Sequence, residues 1–587
     1  MIVPMKKATI LCETKDAEAT VRHLRSMGVI HVQHENPPEG KDISDLRASS
    51  ALIDSTVEVL NQVDASKRDL QPQVKISGDW TGFAARIIEL GRRREQLESL
   101  SEDLTGQIKE WERWGDVDLG QVQHLGENGV YLKLCQVPVK ETGKFPDDMV
   151  VKKLFTEGNT DSCVVISLRQ FECPFTEILP PKQTVSSLKE QFASTADMIE
   201  AADREIVTSA RFRDDLLGMK GELEKEIEFQ QVMHGMGKQG PVVYVTGYFP
   251  SDGEEHLVSE ARKQKWGIMV TEPPPEENVP TLLRNPSWVN LIKPVLGLLG
   301  LTPGYHELDI SLPFLIFFCI FFGILIGDAG YGLVYILLTL LITIWLYRTM
   351  KLNAEMKTMV SLFYLLGSCA VIWGLLTGTF FGQGLLQPLV PQLTDPRTVE
   401  TFCFFLGALH LSIAHTWRAV LKYPSLTALA DVGYICILWT AFFLAQTLVL
   451  GEPFPAFGIW LVVTGIMLVI LFTNPQRRVL RGIGEGVGTM ALSFMNNITD
   501  VISYVRLFAV GLAGLAIAET TNTLASGIGT GIIALAAGFV ILIIGHGLNI
   551  ILGIISVLVH GVRLNVLEFS GHANVTWSGS AFEPFKE

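Results

Sequence analysis

The sequence predicts an α-helical membrane protein with eight transmembrane helices, the last two long and tilted. An N-terminal α/β cytoplasmic domain carrying a long antiparallel coiled-coil hairpin precedes them. Three observations lead there: a lopsided charge distribution, apolar positions repeating every seven residues in the first half, and long apolar runs in the second. Of 587 residues, 47 are Lys or Arg and 61 are Asp or Glu, a formal net charge of −14. Beyond Ser311 only 12 basic and 12 acidic residues remain, so the first part holds 35 and 49 and carries the whole excess. The sparsely charged remainder needs lipid as its solvent. An acidic soluble part offers no basic stripe for phosphates, which argues against nucleic-acid binding.

The eight cysteines are scattered, without a CxxC pair or a Cys/His cluster, which argues against structural zinc and against a disulfide framework. The N-terminal MIVPMKKATI has no apolar core long enough for a cleaved signal peptide, so the acidic part is expected in the cytoplasm.

Lys6 to Cys12 reads as a strand, Asp16 to Met27 as a helix and Val29 to His34 as a second strand, the first piece of a proximal lobe (residues 1–42). Leu46, Ile53 and Leu60 then repeat every seven residues. After a break at Gln71-Pro72, Phe83, Leu90, Leu97, Leu104 and Trp111 do so again, with Ile87 and Ile108 at the offset position. This outgoing arm (43–117) leads to a distal α/β lobe (118–182) with strands near Val130 to Val137 and Ser162 to Arg169. The returning arm (183–235) is read as a helix from Thr184 to Phe229 with Phe192, Ile199 and Ile206 inward, about 70 Å long. Val242 to Phe249, a helix at Glu254 to Lys263 and Trp266 to Val270 complete the proximal lobe (236–275). Glu272-Pro-Pro-Pro-Glu-Glu and Pro280 open a linker (276–311). Gly143-Lys144-Phe145 and Gly237-Lys238-Gln239 lack the spacing of a phosphate loop, and no catalytic arrangement stands out. No catalytic residue, cofactor or metal site is assigned.

Eight candidate spans follow: Leu312–Ile326, Tyr331–Tyr347, Met359–Thr377, Phe402–Trp417, Val432–Leu450, Phe457–Phe472, Val487–Glu519 and Ile532–Phe569. Helices 1–6 occupy residues 312–486 and the last two, with the tail, 487–587. Loops after even-numbered spans hold Arg348, Lys351, Lys357, Arg418, Lys422, Arg477, Arg478 and Arg481; the odd-numbered loops hold only Arg397. Positive-inside counting therefore places both termini in the cytoplasm. The seventh span, at about 50 Å, exceeds a hydrocarbon core of about 30 Å, as does the eighth, so both must tilt or project.

Both long spans carry arginine among apolar neighbours, which costs at least about 2.5 to 3.5 kcal/mol near mid-bilayer and so points to function. Arg563 has an alternative as a residue snorkelling at the cytoplasmic end. Arg506, too deep for that, has an alternative as an internal pair with Asp500. Asn496, Asp500, Ser503 and Arg506 form a polar row on span seven. His546, Asn549, Gly553, Ser556, His560 and Arg563 share one face of span eight. A lone small-residue stripe is ordinary helix packing, and a lone intramembrane histidine is commonly satisfied by a carbonyl. Two rows, each interrupted by arginine, point to an aqueous ion path.

Gly327-Asp-Ala-Gly-Tyr-Gly332, Asn497-Ile-Thr-Asp-Val-Ile-Ser-Tyr-Val-Arg-Leu507, His560-Gly-Val-Arg-Leu564 with Glu568, and the tail Phe582-Glu-Pro-Phe585 give the chain its resemblance to a family. It resembles, over essentially its full length, the membrane subunit of rotary V/A-type ATPases, subunit I in archaea and bacteria and the counterpart of eukaryotic subunit a. The resemblance implies the stationary half of an ion-driven motor facing a ring of proteolipid subunits, with two offset half-channels for H⁺ or Na⁺. It further implies peripheral-stalk and central-stalk subunits as partners. Arg506 would be the essential arginine and Arg563 its companion. The cytoplasmic channel is assigned to Asn496, Asp500, Ser503, Ser556 and His560, the outer one to Glu519, His546 and Asn549; Asp328 and Glu568 are motif residues. Eukaryotic relatives carry a histidine and a glutamate where this chain has Gly514 and Gly553. A self-contained secondary transporter or channel with a regulatory cytoplasmic domain is the alternative. A scaffold without transport would leave the arginines unexplained.

Overall fold

The computed structural model describes residues 1–62, 75–76, 78–141, 145–146, 148–179, 182–349, 353–473, 494–529 and 531–586. The break expected at Gln71-Pro72, the span start at Val487, and Gly143, Lys144, Lys351, Arg477, Arg478 and Arg481 lie outside the described residues. The chain forms two compact units.

One unit comprises Cys12–Ser26 and His34–Val245. Its long helices are α2 (Lys41–Asn61), α3 (Trp80–Trp111), α5 (Val185–Ser209) and α6 (Arg213–Gly235); α1 is Ala17–Met27 and α4 is Leu119–Glu127. Helix α3 packs along α5, and α2 along α6. Ile53, Val57, Leu60, Ile87, Ile206 and Leu216 bury their side chains in one cluster.

Two expectations fail here. The returning stretch is two helices, interrupted by a 3-10 turn at Ala210–Phe212. Its inward face matches only in part: Ile206 is fully buried as expected, whereas Phe192 is exposed, and Leu188, Thr195, Ala202 and Ser209 are buried at sevenfold spacing. The heptad is real but small and polar, with hydroxyls satisfied along the helix, as Thr195 donates to Gln191 O at 2.8 Å. The distal sheet runs β4 (Met149–Glu157), β5 (Thr160–Ser167), β3 (Tyr131–Pro138), β6 (Thr176–Ile178). Strand β6 lies beside β3, with Glu177 opposite Cys135, and this brings the preceding Cys173 into a disulfide with Cys135. Cysteine spacing gave no sign of that bond, because sheet pairing rather than sequence proximity creates it.

The other unit comprises Met1–Leu11, Met27–Gln33 and Thr246–Lys586. Strand β1 (Met5–Glu13) pairs antiparallel with β9 (Gly267–Thr271), Lys7 opposite Thr271. Strand β2 (His31–Gln33) pairs with β8 (Val242–Pro250), His31 opposite Tyr248. Strand β7 (Gly237–Gln239) extends β8, and α7 (Glu254–Gln264) precedes β9. The C-terminal tail returns to this sheet. Ala581 bridges Thr281, and Phe585 N donates to Ile30 O at 2.8 Å with its ring 2% exposed.

Six described helices are long and apolar enough to cross a membrane: α9 (Ala329–Thr349), α10 (Ala354–Thr377), α11 (Pro396–Lys422), α12 (Ala428–Leu450), α14 (Phe494–Gly527) and α15 (Ile532–Ala573). The other two expected spans fall on shorter apolar helices, α8 (Ser311–Ile326, 16 residues) and α13 (Ala456–Phe472, 17 residues). Helix α8 is central: Phe314 and Phe321 are fully buried, and it packs against α10, α14 and α15. Helix α14 runs on to Gly527, so Glu519 stands within it rather than at its end.

Asp328 explains the glycine-rich hairpin between α8 and α9. Its buried carboxylate accepts from Gly330 N (2.7 Å), Tyr331 N (3.1 Å) and Phe381 N (2.9 Å) on Oδ1, and from Gly382 N (2.7 Å) on Oδ2. It thus caps α9, where a helix favours negative charge, and ties down the loop after α10. Gly330 is obligatory because a Cβ there would meet the Phe381 ring at 2.6 Å. Asp328→Asn removes the charge and turns a donor toward a backbone N–H. It should cost about 1.5 to 3 kcal/mol, read as a lower thermal midpoint of the detergent-solubilised protein.

Glu307 clasps the tail to the linker. Burial opposes its ionisation, but Thr576 Oγ1 and the N–H groups of Gly304 (2.7 Å), Thr576 (2.8 Å) and Trp577 (3.3 Å) donate to it and hold its carboxyl below the ordinary range. A lowered folded value means that this stability is present at neutral pH and is lost as pH falls through the carboxylate range. Proteolysis of the tail should therefore quicken between pH 7 and pH 4 in the native protein. In Glu307→Gln it should already be fast at pH 7 and change less.

Candidate functional site

Helix α14 is interrupted at Tyr504, two residues before Arg506. Tyr504 is fully buried and its hydroxyl hydrogen-bonds His410 Nδ1 at 2.8 Å. His410 is sandwiched between Phe317 (3.8 Å) and Phe569 (4.2 Å). Gly407 lies under the tyrosine, since a Cβ there would come within 2.7 Å of the ring. Tyr504 therefore pins α14 against α8, α11 and α15 at the level of the arginine.

Arg506 itself is half-buried, and its Nη1 is enclosed with no hydrogen-bond partner among the described residues. A buried guanidinium N–H without an acceptor is costly. Asp500 does not supply one. It pairs instead with His572, Oδ2 to Nε2 at 3.0 Å, so the expected alternative of an Arg506–Asp500 pair is not what the structure forms. Ser503 donates to Thr499 O at 2.9 Å, and Asn496 is exposed beside buried Asn497.

Helix α15 is regular through Ser556 and then passes through two π-helical turns, Val557–Gly561 and Leu564–Phe569, with Arg563 between them. Such turns re-aim side chains and are frequent at functional sites. Arg563 is exposed, and its Nε pairs with Glu568 Oε1 at 3.4 Å; Glu568 is buried and its Oε2 has no hydrogen-bond partner among the described residues. Both guanidiniums lie within electrostatic reach of His560 and Glu568. The structure thus gathers Arg506, His560, Arg563 and Glu568.

Two cavities flank α14. One, of about 280 Å³, is lined by Glu519 with Thr377, Thr379, Gln383 and Thr394 among other residues. The second, of about 300 Å³, is lined by Tyr331, Tyr335, Gly514, Asn549, Gly553 and Ser556 among others. Asn549 and Ser556, expected in opposite channels, therefore share one cavity, and Asn549 is apart from Glu519. His546 and Asn549 are both engaged: His546 Nδ1 with Tyr331 OH (2.7 Å), His546 Nε2 with Asn522 Oδ1 (3.1 Å), and Asn549 Nδ2 donating to Tyr331 OH (3.0 Å) and Gly514 O (2.8 Å).

Sequence reasoning missed a buried network. His572 Nδ1 meets His415 Nε2 at 2.9 Å, His415 Nδ1 meets Asp431 Oδ1 at 3.1 Å, and Lys422 donates to Asp431 Oδ2 at 2.6 Å. Arg418 Nε lies 3.5 Å from Asp431 Oδ1, and its Nη1 donates to His572 O at 2.9 Å. The available signal was His415, Arg418 and Lys422 at helical spacing with Asp431 opening the next span. Among the described residues, no group of His, Cys, Asp and Glu is arranged to hold a metal ion.

No protein-family model matches the chain. Subunit I 1 of the V-type ATP synthase of Treponema pallidum (strain Nichols) is 29% identical over 633 residues, covering 100% of both chains. The V-type ATP synthase subunit I of Borreliella burgdorferi is 28% identical over 616 residues, again covering 100% of both. The A-type ATP synthase subunit I of Methanocaldococcus jannaschii is 24% identical, covering 94% of this chain and 86% of that one. A crystal structure of the cytoplasmic N-terminal domain of subunit I, homolog of subunit a, of V-ATPase matches 45% of this chain and 100% of that one at 16% identity. Its TM-score is 0.24, below the level of a shared fold. The chain is thus similar along its whole length to subunit I of V-type ATP synthases, and over 94% of it to subunit I of an A-type ATP synthase.

Proposed function

We propose that the chain is the stationary membrane subunit of a rotary V/A-type ATPase, coupling ion translocation to ATP synthesis or hydrolysis performed elsewhere in the complex. The observation that carries this reading is Arg506: a buried guanidinium N–H without a partner among the described residues, on a helix whose apolar surface is largely uncovered. The apolar windows of α14 and α15 are only 22% and 11% buried, against 56% for α11. Surface of that kind needs lipid or another membrane protein, and the unpaired donor calls for an acceptor on that partner.

A proteolipid ring bearing carboxylates fits both needs. A carboxyl in lipid stays protonated or ion-bound, whereas a nearby guanidinium favours its ionised form. Each ring site passing Arg506 therefore releases its ion, and the fixed positive charge keeps ions from crossing directly between the half-channels. Arginine suits this role because it keeps its charge at any working pH. Arg563, held by Glu568, is its companion. The cytoplasmic half-channel comprises Asn496, Asp500, Ser503, Ser556 and His560, and the outer one Glu519 with its cavity, His546 and Asn549; the cavity that Asn549 and Ser556 share is where the two paths come nearest each other. All eight apolar helices cross the membrane, α8 and α13 included, with both termini in the cytoplasm. The arms (43–117 and 183–235) form a coiled-coil hairpin that resists torque, and the two lobes dock peripheral-stalk and central-stalk subunits.

Arg506→Ala should abolish ATP-driven ion pumping in reconstituted complexes while the complex still assembles at normal yield; normal coupled pumping would sink the assignment. Transport by the purified chain alone in liposomes would favour a self-contained transporter instead.

A further inference from the structure

The Asp500–His572–His415–Asp431 network is a continuous chain of titratable groups. Its links measure 3.0, 2.9 and 3.1 Å, and His572, His415 and Asp431 are buried while Asp500 at one end is partly exposed. Lys422, also partly exposed, contacts Asp431 at the other end. We infer that Asp431, His415 and His572 form a proton relay between the Lys422 end of α11 and Asp500, and that the coupling ion is the proton. This rests on the motor reading above, with Asp500 in the cytoplasmic half-channel.

Counting protons gives the mechanism. Three links join two carboxylates and two imidazoles, and filling all three takes three protons, one per link. Two neutral imidazoles supply two, so a fully bonded chain holds one more. With that proton on Asp500, His572 Nδ1–H donates to His415 Nε2 and His415 Nδ1–H donates to Asp431. Three hops, one per link, break the Asp500 O–H, His572 Nδ1–H and His415 Nδ1–H bonds. They form His572 Nε2–H, His415 Nε2–H and Asp431 O–H. One unit of positive charge has then moved from Asp500 to Asp431, and both imidazoles hold the opposite tautomer. Each ring must rotate about its Cβ–Cγ bond to restore its N–H before the next proton follows, and the reverse sequence carries a proton from Asp431 to Asp500.

An electrostatic clasp alone needs only Asp431 with Arg418 and Lys422. The two imidazoles add no opposite charge to that clasp, but they join it to Asp500 on another helix. At hydrogen-bond contact the links leave no room for a coordinated metal cation to pass between the groups. Tyr434 stacks on His415 (5.0 Å), and Arg418 Nη1 donates to the backbone carbonyl of His572, which holds the segment that presents its ring.

The test uses the complete complex in liposomes, with ATP-driven acidification as the readout. His415→Gln and His572→Gln keep hydrogen-bonding capacity but cannot shuttle protons. Each should slow acidification roughly tenfold or more and leave the thermal midpoint and subunit content unchanged. Pumping within twofold of the native rate in either assembled variant overturns the relay, while loss of pumping in Arg506→Ala still upholds the motor. The native complex, which needs no variant, tests the ion: acidification should proceed at full rate in sodium-free buffer. Dependence on sodium, with accumulation of labelled Na⁺, overturns the proton assignment.

Discussion

A polar or charged group enclosed by apolar helices must find a partner or lose several kcal/mol. Most of the membrane half is arranged around that constraint. Asp328 is affordable in the core only because four backbone N–H groups converge on it, and that convergence fixes how α8, α9 and the loop after α10 meet. The Tyr504 hydroxyl and His410 Nδ1 satisfy each other and set the height of α14. Asp431 is met by Lys422, Arg418 and His415. Among the described residues several buried polar atoms of this half lack a partner, His410 Nε2, Asn497 Nδ2, Asn565 Oδ1 and Glu568 Oε2 among them, and Arg506 Nη1 differs from these in carrying a full positive charge.

Close backbone approach is the second device. Gly330, Gly332 and Gly374 let the first helices and the loop after α10 come together at distances where any Cβ would collide, the last with Ala329 N at 2.0 Å. Where the packing cannot be regular, the backbone changes instead. The π-turns either side of Arg563 and the interruption at Tyr504 both lie within a turn of an arginine. Both arginines therefore sit where α14 and α15 depart from a regular α-helix.

How much could be read from the residues depended on the range of the interaction. Apolar runs locate helices because burial in lipid is set by composition, and Met359–Thr377 indeed falls within α10. Heptads are legible only when the repeated residue is large. Helix α5 buries Thr195, Ala202 and Ser209 as well as Leu188 and Ile206, so a search for bulky side chains finds Ile206 but misplaces Phe192, which is exposed. The two arginines were conspicuous because a charge in an apolar run violates a local rule. Their partners were not, because Asp500 reaches His572 across 72 residues and His415 reaches His572 across 157. The same holds for Cys135 and Cys173, joined only once β6 pairs with β3.

That asymmetry bears on the mechanism. Asp328, Tyr504 and His546, which tie elements of this chain together, all have partners on other elements. A group that serves a moving partner must stay unsatisfied until the partner arrives. On the proposed motor reading, an internal acceptor for Arg506 would compete with each passing ring carboxylate and weaken the push toward its ionised form. Asp500 is the nearest candidate along the helix, and its engagement with His572 takes it out of that competition. On that same reading, pairing Asp500 away from Arg506 keeps the guanidinium available to the ring and leaves Asp500 free for the cytoplasmic half-channel.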